Sequence, residues 1–187
     1  CAGGAKFIQL RSKTLPMNKI LKDAGDAVGI ARKNHSILII NDFISLARDL
    51  DADGVHLGSG DEGIQKARSV LSPGKIIGKT VHSISEAEEA LHEKPDYVGL
   101  GPFRKSITKK RLFPTLLIDA FKDIISLLSP MPVYLIGGLG LNDFPLLELV
   151  GARGLAMCQS LFEGETISHQ VGLMLERSQH SLTSQTI

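Results

Sequence analysis

Cationic side chains recur just past short apolar runs. Arg11 and Lys13 follow one such run, and Lys109 lies in a polar loop, Gly101 to Lys110 (GPFRKSITKK), that follows another. Ser106 and Thr108 add hydroxyl and backbone donors to that loop, and Gly137–Gly138 would let a ligand approach backbone amides. Converging cations, hydroxyls and exposed amides describe an anion site of the kind that takes phosphate groups. Two carboxylates, Asp42 and Asp61, follow neighbouring apolar runs. Carboxylates beside a cationic phosphate site suit Mg²⁺, which binds through one or two of them plus substrate phosphates. No Ser–His–Asp order and no Cys–His pair is evident, so nothing points to a protein nucleophile.

Each of these residues also has a plainer reading. Asp42 could cap a helix starting at Phe43, and Asp61 one running through Gln65. His56 and His82 read first as packing or hydrogen-bonding side chains, Gly137–Gly138 as a turn, and Lys109–Lys110 as a solvated loop. Cys158 reads as a small apolar wall residue. What favours chemistry is shared placement, because all of them follow apolar runs in the same sense along the chain.

Those runs are Lys6 to Arg11, Ser36 to Asn41, Gly54 to Gly58, Ile76 to Val81, Tyr97 to Pro102, Val133 to Gly137 and Gly154 to Gln159. They are near-continuous rather than alternating, as strands of a parallel sheet buried on both faces are. Helical patterns lie between them at Asn18 to Arg32, Ser85 to His92 and Thr115 to Leu128, and Ser83 followed by acids is a helix-start signal. Alternating strands and helices with short connections make a βαβ series. GGAKFIQL, DADGVHLG, KPDYVGLG and GARGLAMC form a weak internal repeat, each with a small or turn residue just before a strand. An open doubly wound sheet usually shows its phosphate loop after the first strand. Here polar residues follow nearly every strand, which is where a (βα)₈ barrel builds its active site. The expected fold is therefore an α/β (βα)₈ TIM barrel that shows seven units, with its first strand and helix lacking from this chain. It reads as a single domain over residues 1–176, followed by a polar tail from Arg177 to Ile187.

Composition narrows the function classes. The chain has 187 residues, 43% hydrophobic and 22% charged, enough to bury one ordinary core. A net charge of +1 gives no general attraction to nucleic acid or a membrane surface. No apolar run approaches the roughly 20 residues of a membrane span, and no signal-peptide pattern opens the chain. Two distant cysteines, Cys1 and Cys158, make a reducing cytoplasm the default. The expected partners are small phosphorylated molecules. A homo-oligomer is compatible with the sequence, in which no patch decides it.

The combination QLRSK (Gln9 to Lys13), IIND (Ile39 to Asp42), DGVHLG (Asp53 to Gly58), DYVGLGP (Asp96 to Pro102), SITK (Ser106 to Lys109) and IGG (Ile136 to Gly138) resembles the thiamine-phosphate synthase family. The likeness runs from Gly4 to about Gly164. It implies a cytoplasmic (βα)₈ enzyme of thiamine biosynthesis that uses Mg²⁺. Such an enzyme joins 4-amino-2-methyl-5-hydroxymethylpyrimidine diphosphate to a thiazole phosphate and releases diphosphate. The resemblance implies that Gln9, Leu10, Arg11, Ser12 and Lys13 hold the pyrimidine diphosphate, that Asn41, Thr80 and Lys109 contact its diphosphate, and that Asp42 and Asp61 ligate the metal. Ser106, Ile107 and Thr108, with Gly138, Cys158 and Gln159, would cradle the thiazole phosphate. Arg11, Lys13 and Lys109 would stabilise charge growing on the leaving group in a dissociative reaction.

This chain departs from the family pattern at Ser12, where Glu is common, and at Thr80, where Ser is usual. It departs again at Arg104–Lys105, where an aromatic and proline are usual, and at Cys158–Gln159, where Ile–Ser is typical. Two other readings follow: a thiazole tautomerase-like isomerase using His82, and a non-catalytic phosphate-ligand-binding paralogue. The pair Asp42 and Asp61 favours the synthase, because a Mg²⁺–diphosphate site needs such carboxylates.

Overall fold

The computed structural model describes residues 1–104 and 117–183. Among the described residues, seven strands form one parallel sheet in sequence order. They are β1 (Phe7–Leu10), β2 (Ile37–Asn41), β3 (Gly54–Leu57), β4 (Ile76–Val81), β5 (Tyr97–Leu100), β6 (Val133–Ile136) and β7 (Gly154–Ala156). The helices between and after them are α1 (Met17–Lys33), α2 (Ile44–Asp49), α3 (Ile64–Val70), α4 (Ile84–Glu93), α5 (Ile118–Leu128), α6 (Pro145–Val150) and α7 (Ile167–Thr183).

The period-two alternation of each strand divides the side chains between two faces. On the outer face, Leu10, Leu38, Ile40, Val55, Leu57 and Ile77 pack against Ile20, Ala24, Val28, Ile44 and Ile64 of α1 to α3. Farther along the sheet, Val98, Leu100, Val133 and Leu135 pack against Ala87, Ala90, Phe121, Ile124 and Leu128 of α4 and α5. Helix α1 shows why it forms. Its buried residues Ile20, Ala24, Val28 and Ala31 recur at helical spacing, and Arg32 and Lys33 end it with positive charge.

The inner face shows how far the sheet curls. Phe7 on β1 stacks on Tyr134 on β6, with ring centroids 6.2 Å apart and planes 8° from parallel. Phe7 also meets Tyr97 on β5 edge-on at 5.5 Å. In a flat sheet, β1 and β6 would stand about 24 Å apart, five strand spacings. The contact therefore requires a curled sheet with its aromatic side chains gathered inside. Space for them comes from glycine: a Cβ on Gly78 would lie 2.2 Å from Tyr97 Cζ, and one on Gly154 would lie 2.9 Å from Tyr134 Cδ1.

The structure amends two expectations from the sequence. The last strand stops at Ala156, and residues Gln159–Phe162 form a 3₁₀ turn instead of continuing it. The region expected to be a polar tail from Arg177 is helical as far as Thr183. Met174 docks α7 on Phe144 and Leu147, and the polar residues beyond it carry the helix on. Helices α2, α3 and α6 have six or seven residues each, too short to show helical periodicity in the sequence.

Candidate active site

The C-terminal ends of the strands share one end of the curled sheet, and candidate residues among the described ones lie there. At the end of β2, Asn41 is buried and Asp42 adopts a left-handed backbone, with φ of 70°. Asp tolerates this conformation better than most residues, though at some cost in strain. Two groups hold the turn: the Asp42 N–H donates to the His56 carbonyl at 2.9 Å, and the Lys13 ammonium lies 3.1 Å from Asp42 Oδ2. Helix α2 begins only at Ile44, and no side chain caps it, so Asp42 is not the cap that the sequence allowed.

Asp61 is not a cap either. Helix α3 starts at Ile64 after Gly63, without a side-chain cap. Instead Asp61 Oδ2 accepts the Gly58 N–H at 2.7 Å, closing the turn after β3. The same side chain reaches Asp42. Burial lifts the Asp42 carboxyl above its usual range, and the hydrogen-bonding contact with Asp61 pushes it the same way. Lys13 opposes both without cancelling them. Two carboxylates from successive strand ends therefore face one another with an ammonium alongside. That is a hard-oxygen donor set open to a divalent cation, and its chemistry fits Mg²⁺. Among the described residues, no group of three or more His, Cys, Asp or Glu side chains is placed to hold a metal ion. Asp42 and Asp61 would thus be the protein's share of a site completed by other oxygens.

Behind this end runs a buried hydrogen-bonded chain. His56 Nε2 lies 2.7 Å from Thr80 Oγ1, and His56 Nδ1 lies 2.9 Å from Tyr97 Oη. Tyr97 is also hydrogen-bonded by Gln9, and burial holds its phenol well above the usual range. Gln9 and Thr80, both expected at the substrate, are thus tied together through His56 and Tyr97. The plainer reading of His56 as a hydrogen-bonding residue holds. No role for Tyr97 follows from the sequence. The signal available was a polar aromatic two residues before Gly99 in a strand otherwise filled by apolar residues and glycine.

Arg11 is exposed just past β1, with Ser12 beside it, while the Leu10 side chain turns outward into the core, so only its backbone faces the strand end. Gly138 has φ of 68°, and Gly137 before it has φ of 97°, a backbone that only glycine adopts at low cost. Cys158 and Gln159 are both exposed, so Cys158 is not the apolar wall residue expected. Ser106, Ile107, Thr108 and Lys109 lie outside the described residues. His82 is anchored through its backbone N–H to Glu86 at 2.7 Å and through its ring to the Gly101 carbonyl.

Comparison with known proteins gives a consistent result. The thiamine monophosphate synthase family profile matches residues 1–161. A thiamine-phosphate synthase of Bacteroides thetaiotaomicron is 34% identical over 167 residues, covering 87% of this chain and 80% of that protein. One of Myxococcus xanthus is 35% identical over 175 residues, covering 94% and 80%. Among solved structures, a thiamine phosphate pyrophosphorylase from Pyrococcus furiosus superposes with a TM-score of 0.85 at 25% identity, covering 97% of this chain and 86% of that one.

Proposed function

The chain belongs to the thiamine monophosphate synthase family, and on that premise we propose how its strand ends perform the synthase reaction. The activity is that of an enzyme of thiamine biosynthesis, a transferase. The observation that carries the assignment of roles is the meeting of Lys13, Asp42 and Asp61 at the ends of β1, β2 and β3.

In the proposed mechanism, Asp42 and Asp61 would hold Mg²⁺ at the site that takes the diphosphate of the pyrimidine substrate. The metal, when bound, offsets negative charge on the leaving diphosphate. Lys13 stands beside this site and serves the same charge, with Arg11 and Lys109. Gln9 and Thr80, fixed through Tyr97 and His56, orient the substrate's pyrimidine and diphosphate ends. The Gly137–Gly138 turn and the Ser106–Thr108 loop take the thiazole phosphate and bring the ring nitrogen to the carbon that the diphosphate leaves. Positioning of the two substrates then supplies much of the acceleration, and no protein nucleophile is required.

The curl of the sheet supports an eight-stranded (βα)₈ barrel, with a strand between β7 and β1 completing it. The free cysteines Cys1 and Cys158 support a reducing cytoplasmic setting. Among the described residues, no helix is long and apolar enough to cross a membrane. The test of the reaction is direct. The purified chain, given Mg²⁺ and both substrates, is expected to form thiamine phosphate, and to stop when Mg²⁺ is chelated. No product in the presence of Mg²⁺ would refute the assignment.

A further inference from the structure

Arg104 occupies a position where the sequence departs from the family's usual aromatic, and it holds the glycine turn in three ways. Its backbone N–H donates to the Gly137 carbonyl at 3.1 Å. Its Nη1 donates to the Gly138 carbonyl at 2.9 Å. Its guanidinium forms a two-pronged pair with Asp143, at 2.8 Å and 2.6 Å. Asp143 is only 7% exposed, and its Oδ2 also accepts the Gly140 N–H at 2.8 Å. One residue after the two held carbonyls, the Leu139 carbonyl accepts the Ser160 hydroxyl at 3.0 Å. Three consecutive carbonyls, those of residues 137 to 139, are therefore all claimed by side chains or backbone of neighbouring elements.

In a planar trans peptide the N–H points opposite to the preceding C=O. Holding the Gly137 and Gly138 carbonyls toward Arg104 thus turns the Gly138 and Leu139 N–H groups the other way as a fixed pair. Consecutive amides presented on one side of a turn form an anion-binding concavity. The Arg104 fork is directed at Asp143, which neutralises it. Arg104 therefore acts on an anion through the turn and not as its ligand.

We propose that Arg104, clamped by Asp143, is a positioning residue that sets the Gly137–Gly138 turn for the phosphate group of the second substrate. This rests on the reading above that the turn takes the thiazole phosphate. The clamp bonds only the turn and Asp143, so its effect should be confined to the phosphate end of that one substrate.

The test is titration calorimetry with thiazole phosphate, together with steady-state kinetics for both substrates, on the full chain. Arg104→Met is expected to weaken thiazole phosphate binding about tenfold, roughly 1.4 kcal/mol at 25 °C and one charge-assisted hydrogen bond's worth. Its KM for the pyrimidine diphosphate should stay within about twofold of the original, as for a site not touched. Arg104→Lys should recover part of the loss. Asp143→Asn separates positioning from direct contact. It leaves one acceptor oxygen where three donors now converge, so a clamp is weakened, whereas a phosphate-ligating Arg104 released from its partner would bind as well or better. Thermal melting of each variant shows that it is folded; should Arg104→Met fail to fold, Arg104→Lys and Asp143→Asn carry the test. Unchanged thiazole phosphate affinity in the folded variants, with the original turnover intact, overturns the clamp alone. Failure of the unaltered chain to bind thiazole phosphate or turn over overturns the reading on which it rests.

Discussion

Lys13 Nζ stands 3.1 Å from Asp42 Oδ2, although Lys13 follows β1 and Asp42 follows β2. The pair closes the gap between two adjacent strand ends and leaves the other side of Asp42 facing Asp61. A carboxylate in this position serves two opposed ends. It is strained in backbone and crowded by a second carboxyl, and in the proposed site it would supply an oxygen to the cation.

Asp42→Ala is therefore expected to lower the rate by about 10²-fold or more, the scale of a lost electrostatic element at the reacting charge. Asp42→Gly should do the same while raising the melting temperature. It relieves a left-handed backbone, worth about 1 kcal/mol. It also removes a carboxyl whose folded-state pKa is raised. Such a group favours the fold below its unfolded value near 3.8 and loses that contribution as pH rises through the folded value. The gain in melting temperature should thus be larger at neutral pH than at about pH 2, well below 3.8, where the carboxyl is protonated in both states. A variant that melts lower at neutral pH would contradict this picture.

Mg²⁺ should stabilise the original chain without any substrate, because a cation between Asp42 and Asp61 replaces repulsion with attraction. A ligand that binds only the folded state at 100 times its dissociation constant adds about 2.7 kcal/mol, which is a shift readily seen in a melting curve. The shift should vanish in Asp61→Asn. It should persist in Lys79→Met, whose ammonium sits on the outer face.

Lys79 makes a separate prediction about alkaline stability. It is 7% exposed under α4, and its ammonium bonds Glu89 at 2.9 Å and Glu93 one helical turn on. Burial alone pulls its pKa down, but Glu93 and Glu89 outweigh burial and hold it above 10.5. A raised folded-state value means the stabilisation is complete below 10.5 and fades as pH climbs through the folded value. Lys79→Met should cost about 2 kcal/mol at neutral pH, between an exposed ion pair and a buried charge left alone. The difference from the original chain should narrow as pH rises past 10.5 and through the folded value. Parallel melting curves across that range decide it.

The parallel sheet and its strand ends were legible because each strand is a short apolar run followed by a polar residue, as ILIIN followed by Asp42 shows. A run of this kind carries its own evidence within six residues. What the sequence could not show is the pairing of distant residues. His56 meets Tyr97 across an intervening strand, and the two are 41 residues apart. Arg104 meets Asp143 across 39 residues. Arg104 stood out as an unusual base, but nothing local distinguishes a solvated arginine from one bound to a buried carboxylate. Leu10 shows the converse limit. It lies inside the QLRSK motif, but strand alternation turns its side chain away from the site.

Gly78 tests the inner face as a whole. It lies on β4 between His56 on β3 and Tyr97 on β5, and it is the reason those two side chains can touch. A Cβ there would stand 2.2 Å from Tyr97 Cζ and 2.6 Å from His56 Nδ1, so neither ring could stay in place. Overpacking of this kind costs about 1–3 kcal/mol. Losing the His56–Tyr97 bond while both groups stay buried adds about 1–3 kcal/mol. Gly78→Ala should therefore melt markedly lower. It should also raise KM for the pyrimidine diphosphate, because Gln9 and Thr80 lose the chain that fixes them. Tyr97→Phe separates the two effects. It keeps the ring and the space but removes the hydroxyl, so the drop in melting temperature should be smaller and the rise in KM should remain. If Tyr97→Phe binds the pyrimidine diphosphate as the original chain does, the hydrogen-bonded chain serves packing alone and Gln9 and Thr80 are held by other means.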